Sequence, residues 1–134
     1  MSESEQSWSY GNKHIRGGRL LVCAMIATRP YAHWPMDNRA FARAVDRLTP
    51  EGNIVATRIR TYPGIAGQHC PDFRDMLSHA MSSCLVQYLA PDFTHMVLSL
   101  SPRGLSTLAK DFTPDEMRAA RALVHEFWFE AHGT

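Results

Sequence analysis

The longest strongly apolar run of the chain, Leu20–Ala27, limits the possible folds more than any other part of the sequence. It reads LLVCAMIA and holds no charged side chain. A membrane-spanning helix needs about 20 apolar residues, so this run is far too short for one and is expected inside a protein core. An unbroken apolar run of strand length is typical of a strand covered on both faces, although a turn of buried helix has the same pattern. We predict strand one here.

Two further segments alternate between core-facing and solvent-facing side chains, as strands with one solvated face do. In residues 55–60, which follow the turn signal PEGN, Val55, Thr57 and Ile59 share one face and two arginines lie on the other. In residues 94–101, the sequence THMVLSLS places a methionine and two leucines on one face. These segments predict strands two and three.

In the segments after predicted strands one and two, apolar residues recur at helical spacing. Asp37 is a suitable N-cap for a helix that ends near Thr49 and Pro50. A second helix is predicted from about Pro71, and its broad apolar stripe extends to Tyr88. A stripe of that breadth indicates a deeply buried helix.

The last helix has the strongest start signal in the chain. Thr113 is a suitable N-cap, Pro114 fits the first helical position, and Glu116 completes a capping box. Gly133 stands where a C-terminal glycine cap is expected. We predict a helix between these two signals.

The resulting order, βαβαβα, predicts an α/β fold: a small sheet of three or more strands with three helices, packed as a two-layer or three-layer sandwich. Residues 1–18 are rich in Ser, Glu and Gly and predict a flexible N-terminal arm. Residues 19–134 are then a single α/β domain. A sheet this small has open edges, which favour a homodimer or a protein partner.

Charge and cysteine content narrow the functional classes. The 14 basic and 13 acidic residues leave a net charge of +1, so no overall field attracts nucleic acid or an acidic membrane. The first residues, MSESEQSWSYGNK, are polar and acidic, unlike a secretory signal. The 3 cysteines have no metal-ligand spacing and favour a reducing compartment. We expect a soluble cytoplasmic protein with no membrane segment, no metal and no cofactor.

The loops after the predicted strands carry most of the reactive side chains. If the strands are parallel, these loops meet at one edge of the sheet, where ligands bind in open α/β folds. The residues then expected to bind a ligand are Arg29, Tyr31, Trp34, Gln68 and Arg103. The alternative is a solvated surface with no such role.

Cys70 is the strongest candidate for catalysis. It stands at the start of the second predicted helix, where the helix dipole and free N–H groups stabilise a thiolate and lower the pKa of a thiol. His69 and His33 are the candidate bases. The alternative is that Cys70 is a small residue that caps a helix.

Four arginines are the candidate contacts to nucleic acid. Arg16 and Arg19 lie near the N-terminus, and Arg58 and Arg60 lie on the solvated face of strand two. Together they could form one basic patch. With a net charge near zero, a solvated strand face and a flexible arm are the alternative interpretation.

The sequence from Thr94 to His132, THMVLSLSP followed later by TPDEMRAARALVHEFWFEAH, resembles the strand-and-helix segment found early in some plasmid mobilisation relaxases. The resemblance covers under a third of the chain and implies a DNA-associated accessory role. The relaxase reaction depends on a later histidine-rich metal motif and a nucleophilic tyrosine. No HxH motif follows in this sequence, so transesterase activity is not implied.

The leading functional hypothesis is a small non-enzymatic α/β protein that binds a macromolecular partner or another copy of itself. The sheet edge and the aromatic C-terminal helix are the expected surfaces. One alternative is a small enzyme or ligand-binding protein that uses Cys70 in a pocket built from loops. Another is the DNA-associated accessory protein.

Overall fold

A computed structural model describes residues 13–65, 67–91, 93–100 and 102–133. These residues form a helix-rich, mixed α/β fold with one small antiparallel sheet. The helices are α1 (Lys13–Thr28), α2 (Asn38–Leu48), α3 (Pro71–Ser82), α4 (Pro102–Leu108) and α5 (Pro114–His132). The strands are β1 (Trp34–Pro35), β2 (Val86–Tyr88) and β3 (His95–Leu98), and short 3-10 turns span Ala56–Arg58 and Ala109–Asp111. The predicted α/β class is confirmed in this coarse form, whereas the order βαβαβα is not.

The apolar run predicted as strand one is the second half of helix α1, so that prediction is wrong. The side chains from Leu20 to Ile26 are all buried, because α1 packs against both α3 and α5. A helix that is covered on several sides carries no polar face, and its sequence loses the helical period. Lys13 to Gly18, predicted as part of the flexible arm, form the first turns of this helix. The rest of that arm, residues 1–12, lies outside the described residues.

Two glycines let α1 approach α3 closely. Gly17 and Gly18 both lie against Met76. A Cβ atom on Gly18 would stand 2.5 Å from the backbone carbonyl oxygen of Met76, a distance that no side chain tolerates. Glycine at this position therefore sets the spacing between the two helices.

The sheet has the order β1–β3–β2, and both pairings are antiparallel. Trp34 pairs with Met96, and Gln87 pairs with Val97. The prediction of strand three is confirmed as β3. Strand β1 follows α1 and is only two residues long, and Pro35 is accommodated on it because it is an edge strand. The antiparallel arrangement removes the premise that loops gather at one edge of a parallel sheet.

Residues 55–60, predicted as strand two, form a turn instead. Asn53 Oδ1 accepts the backbone N–H groups of Val55 and Ala56 at 3.0 and 2.9 Å. Its amide nitrogen donates to the carbonyl oxygen of Ala119 on α5 at 2.9 Å. An asparagine that bonds the backbone just after itself favours a turn, and this local chemistry outweighs the alternating pattern.

Helices α2, α3 and α5 lie at the three predicted positions, but the described residues form five helices, so the predicted number of three is not confirmed. Asp37 caps α2 by accepting from Ala40 N–H. The capping box of α5 has both of its hydrogen bonds, and Gly133 ends that helix with φ of 72°. Helix α3 ends at Ser82. Its apolar stripe was expected to extend to Tyr88, but residues Val86–Tyr88 form strand β2.

An aromatic cluster joins these elements in the core. The rings of Phe41 and Phe73 stack with centroids 4.1 Å apart, and Phe127 meets both edge-on at 5.3 Å. Phe41, Phe73 and Phe127 come from α2, α3 and α5, so the cluster fixes the mutual packing of these helices. None of the described helices is both long enough and apolar enough to cross a membrane.

Candidate functional site

The starts of α2 and α3 are fastened side by side by one asparagine. The Asn38 amide nitrogen donates to the Cys70 carbonyl oxygen at 2.7 Å, and Cys70 N–H donates to Asn38 Oδ1 at 2.6 Å. Asn38 is the first residue of α2, and Cys70 is the N-cap of α3. Two helix N-termini, each with a partial positive charge, are therefore held together.

A groove of about 520 Å³ opens beside this junction. That volume falls within the range of about 300–1,000 Å³ usual for small-molecule sites. Its walls come from the segment after β1, from the first turns of α2 and α3, and from β2. The lining residues are Met36, Asn38, Arg39, His69, Pro71, Phe73, Arg74, Leu77 and Tyr88. Phe73 and Leu77 are buried and give the groove an apolar floor.

Arg39 and Arg74 give the groove its charge. Both residues are exposed, and the described lining contains no aspartate or glutamate. Neither arginine forms a salt bridge with another described residue, whereas Arg43 and Arg47, further along α2, bind Glu126 and Glu130 of α5. The groove is therefore apolar at its floor and cationic at its rim.

The positions of these two arginines oppose the helix dipoles. Arg39 is the second residue of α2, and Arg74 is the fourth of α3. Cations near a helix N-terminus are unfavourable, whereas anions there are favoured. A bound anion would relieve this repulsion and would also bond to the guanidinium groups.

The loop that precedes α3 is braced against α2. Thr61 Oγ1 and the Gln68 amide nitrogen donate to the two carboxylate oxygens of Asp46 at 2.6 and 2.8 Å. Tyr62 and His69 exchange two backbone hydrogen bonds of 2.9 Å. Gln68, predicted to bind a ligand, thus supports the loop, while His69 lines the groove.

Cys70 lies behind the groove and not in it. Its side chain is buried, with 0% of the residue exposed. Burial raises the pKa of the Cys70 thiol to about 11, although hydrogen bonds from the Phe73 and Asp72 backbone oppose the rise. The expectation of a lowered pKa is therefore wrong, because loss of hydration outweighs the helix dipole here. His33, a predicted base, is exposed before β1 and does not line the groove.

The remaining predicted ligand residues are not brought together at the groove. Trp34 is buried in the core, and its ring N–H donates to the Arg29 carbonyl oxygen at 3.2 Å. The Arg29 guanidinium lies 4.5 Å from the ring centre of Trp128. Tyr31 is 88% exposed, and Arg103 is exposed on α4.

Two of the four predicted nucleic-acid contacts are ion-paired inside the fold. Arg16 bonds to Glu116 at 3.0 Å, and Arg58 lies 3.6 Å from the same carboxylate, of which 1% is exposed. Arg16 also donates to the Asp111 carbonyl oxygen and lies over the Phe112 ring. We call Arg16, Glu116 and Arg58 the Glu116 charge triad.

The other two arginines of that set, Arg19 and Arg60, are exposed. A hydrogen bond with Tyr62 raises the pKa of the Arg60 guanidinium. Because residues 55–60 are a turn, the solvated strand face that was expected to carry the basic patch is absent from the described part of the chain.

Asp72 ties the start of α1 to the start of α3. Lys13 and His14 both contact its carboxylate, and Arg60 N–H donates to it at 2.9 Å. Burial alone would raise the pKa of Asp72, but hydrogen bonds from Lys13, Arg60 N–H and His14 hold it below its usual value. The His14 ring in turn stacks on His79 at 6.4 Å. The sequence did not predict this contact between the starts of α1 and α3.

Sequence reasoning missed Arg39, Arg74, Met36 and Tyr88 as site residues. One local signal was available: each arginine falls in the first turn of a correctly predicted helix, where acidic residues are preferred. Nothing local connects Tyr88 or Met36 to those turns, because only the antiparallel sheet brings them there.

Within the described ranges, no group of three or more histidine, cysteine, aspartate or glutamate side chains is placed to hold a metal ion. Comparison of the chain with protein-family models, with curated proteins and with solved structures gives no match.

Proposed function

We propose that this chain is a non-enzymatic binding protein, and that its groove binds an anionic molecule with an apolar body, such as an aromatic carboxylate. The observation that carries the proposal is the pair Arg39 and Arg74. They stand above an apolar floor, at two helix N-termini, without a salt bridge to another described residue. Specific ligand sites combine such an apolar surface with a few polar groups that fix orientation.

Binding is favoured over catalysis by the side chains that line the groove. Among the described lining residues there is no cysteine, serine or carboxylate. The thiol of Cys70 is buried and has a raised pKa. His69 and Tyr88 remain as titratable groups at the rim, and neither activates a nucleophile on its own.

The expected affinity for a small probe is modest. 1-Naphthylacetate offers an aromatic body and one carboxylate, and ligands of this size gain about 0.3 kcal/mol per heavy atom. That corresponds to a dissociation constant on the order of 1 mM or tighter. The arginines are exposed, so solvent screens their attraction and low ionic strength should strengthen it.

The test is a titration with 1-naphthylacetate and with its neutral counterpart, 1-naphthylacetamide, followed by amide chemical shifts. We expect the carboxylate to shift residues at the starts of α2 and α3, and the amide to bind several-fold more weakly. The double variant Arg39→Gln/Arg74→Gln should bind the carboxylate about fivefold or more weakly, since each charge-assisted bond is worth about 0.5–1 kcal/mol at an exposed rim.

Arg103→Gln is the matched control, because Arg103 is an exposed arginine on α4, outside the groove. It should leave binding unchanged. Equal binding of the acid and the amide, or a loss of binding caused by Arg103→Gln, would contradict the proposal.

A second candidate function, association with a protein partner or a second copy, is supported by one different observation. Ile65 is fully exposed at the tip of the braced loop, and Tyr62 at its base is 43% exposed. A large apolar side chain held out by an anchored loop suits an interface. A monomer mass by light scattering at high concentration would refute self-association of this chain. In that case Ile65→Ser should leave the measured mass unchanged.

DNA association remains a third proposal with less support. Arg16 and Arg58, two of its four contacts, are engaged by the buried Glu116 carboxylate. A gel-shift assay without salt-sensitive binding would end it.

A further inference from the structure

We propose that residues 1–12 of this chain occupy the groove when no ligand is bound, so that the chain carries its own competitor. The inference rests on the proposed function of the groove and deepens it, because it adds regulation of the same site. Three properties support it: the composition of the segment, the place where it joins the fold, and the charge of the groove.

The segment is chemically complementary to the groove. Residues 1–12 read MSESEQSWSYGN, with two glutamates, no lysine or arginine, one tryptophan and one tyrosine. The groove has two rim arginines above a floor of Phe73 and Leu77. The segment thus has the same two features as the proposed ligand class, an anionic group and an apolar body.

The attachment point, at the start of α1, contacts a helix that lines the groove. Residue 13 contacts Asp72 through its ammonium group. Pro71 and Phe73, the neighbours of Asp72 along α3, line the groove together with Arg74. The segment therefore enters the fold on one side of the first turn of α3, and the groove opens on another side of that same turn.

The chain length from this point is sufficient. A helix with its side chains is about 10–12 Å wide, so half of its circumference is about 17 Å. The five residue-to-residue steps from Trp8 to Lys13 span up to about 17 Å when extended, and Glu5 reaches further. Trp8 can therefore reach the groove floor while Glu3 and Glu5 reach its arginines.

A tethered competitor acts at an effective concentration of about 1 mM or more. If the segment binds with an affinity comparable to that of the naphthylacetate probe, it occupies the groove for half of the time or more. Its removal from the groove should then strengthen the apparent binding of a free ligand by about twofold to tenfold.

The experiment uses the full chain with substitutions in the segment. Trp8→Ala/Tyr10→Ala removes its apolar groups, and Glu3→Lys/Glu5→Lys reverses its charge. Ser7→Ala/Ser9→Ala is the matched control. Two quantities are measured for each: the dissociation constant of 1-naphthylacetate, and the amide shifts of Arg39, Arg74 and Tyr88 without ligand.

We expect both test variants to bind the probe more tightly than the unchanged chain, to move the three amide shifts, and to differ in this from the serine control. Unchanged affinity together with unchanged shifts would overturn the inference and leave the proposed function standing. Absence of probe binding in every variant would refute the proposed function, and the ligand-free shifts would still decide whether the segment lies in the groove. Shifts that depend on protein concentration would assign the groove to the segment of a second copy and overturn the intramolecular form.

Discussion

Two pairs of arginines in this protein have opposite environments. Arg16 and Arg58 flank the buried carboxylate of Glu116 and hold α1 and the 3-10 turn against α5. Arg39 and Arg74 stand at the groove rim without a salt bridge to any described residue. The first pair stabilises the fold, and the second is available to a ligand. Residue type alone does not separate these roles, whereas burial of a partner carboxylate does.

The largest effect is expected from Glu116→Gln. Glutamine keeps the acceptor of the capping box with Thr113 N–H, but it removes the negative charge that Arg16 and Arg58 share. Removing one member of a buried ion pair costs about 3–5 kcal/mol, and partial exposure of the arginines reduces this to about 2–4 kcal/mol. Urea denaturation measures the free energy of unfolding. A loss below about 0.5 kcal/mol would show that the triad is not a structural element.

A smaller loss is expected from Arg16→Gln. Glu116 keeps Arg58 as a partner, so the carboxylate is not left without a counter-charge. We expect a decrease of about 1–2 kcal/mol in the free energy of unfolding, partly from lost packing on Phe112. Arg19→Gln, on an exposed position of the same helix, is the control and should change it by less than about 0.5 kcal/mol.

Asp72→Asn tests whether a charged residue next to the groove stabilises the fold, because Asp72 lies beside the groove but bonds to residues of the fold. Its pKa is lowered in the folded state, so its contribution to stability is present above the unfolded pKa of about 3.9 and is lost as the pH falls through the lower folded value. We expect the variant to be less stable by about 1 kcal/mol at pH 7. The difference should shrink between pH 5 and the acid limit of folding, and a gap that stays constant would contradict the ionic origin.

The smallest effect on stability is expected from Arg39→Gln/Arg74→Gln. Both arginines oppose a helix dipole, so their removal should leave the free energy of unfolding unchanged or raise it by about 0.3–0.5 kcal/mol. Thermal and urea unfolding check this value. A loss as large as that of Arg16→Gln would break the comparison, since the groove arginines would then also be structural.

The sequence predicted helices α2, α3 and α5 and strand β3 because their signals are local. Caps such as Asp37 and Thr113, and an alternating or helical period, depend on a few neighbouring residues. Helix α1 was mistaken for a strand because burial on several sides removes the period that tells a helix from a strand. Strands β1 and β2 are too short to show any period, and Arg103 lies in α4 where a loop was expected.

Of the candidate site, the sequence predicted only residues at or next to a recognisable helix start. His69 was named as a base and is found lining the groove, and Cys70 was placed at the start of α3, where it is the N-cap. The lowered pKa expected of the Cys70 thiol was wrong, since its burial depends on the packing of distant segments. Arg39 and Arg74 are 35 positions apart in the chain, and no local pattern links them.

The sequence by itself determined where three helices begin and where α2 and α5 end, because caps, prolines and glycines act on the backbone within one turn. It also determined the near-neutral charge and the acidic, aromatic composition of residues 1–12. Only the tertiary structure decided that Leu20–Ala27 is helical, that the strands are antiparallel, and which arginines face a carboxylate or an open groove. Those outcomes depend on which surfaces meet across long separations in sequence, where burial changes the cost of each charge.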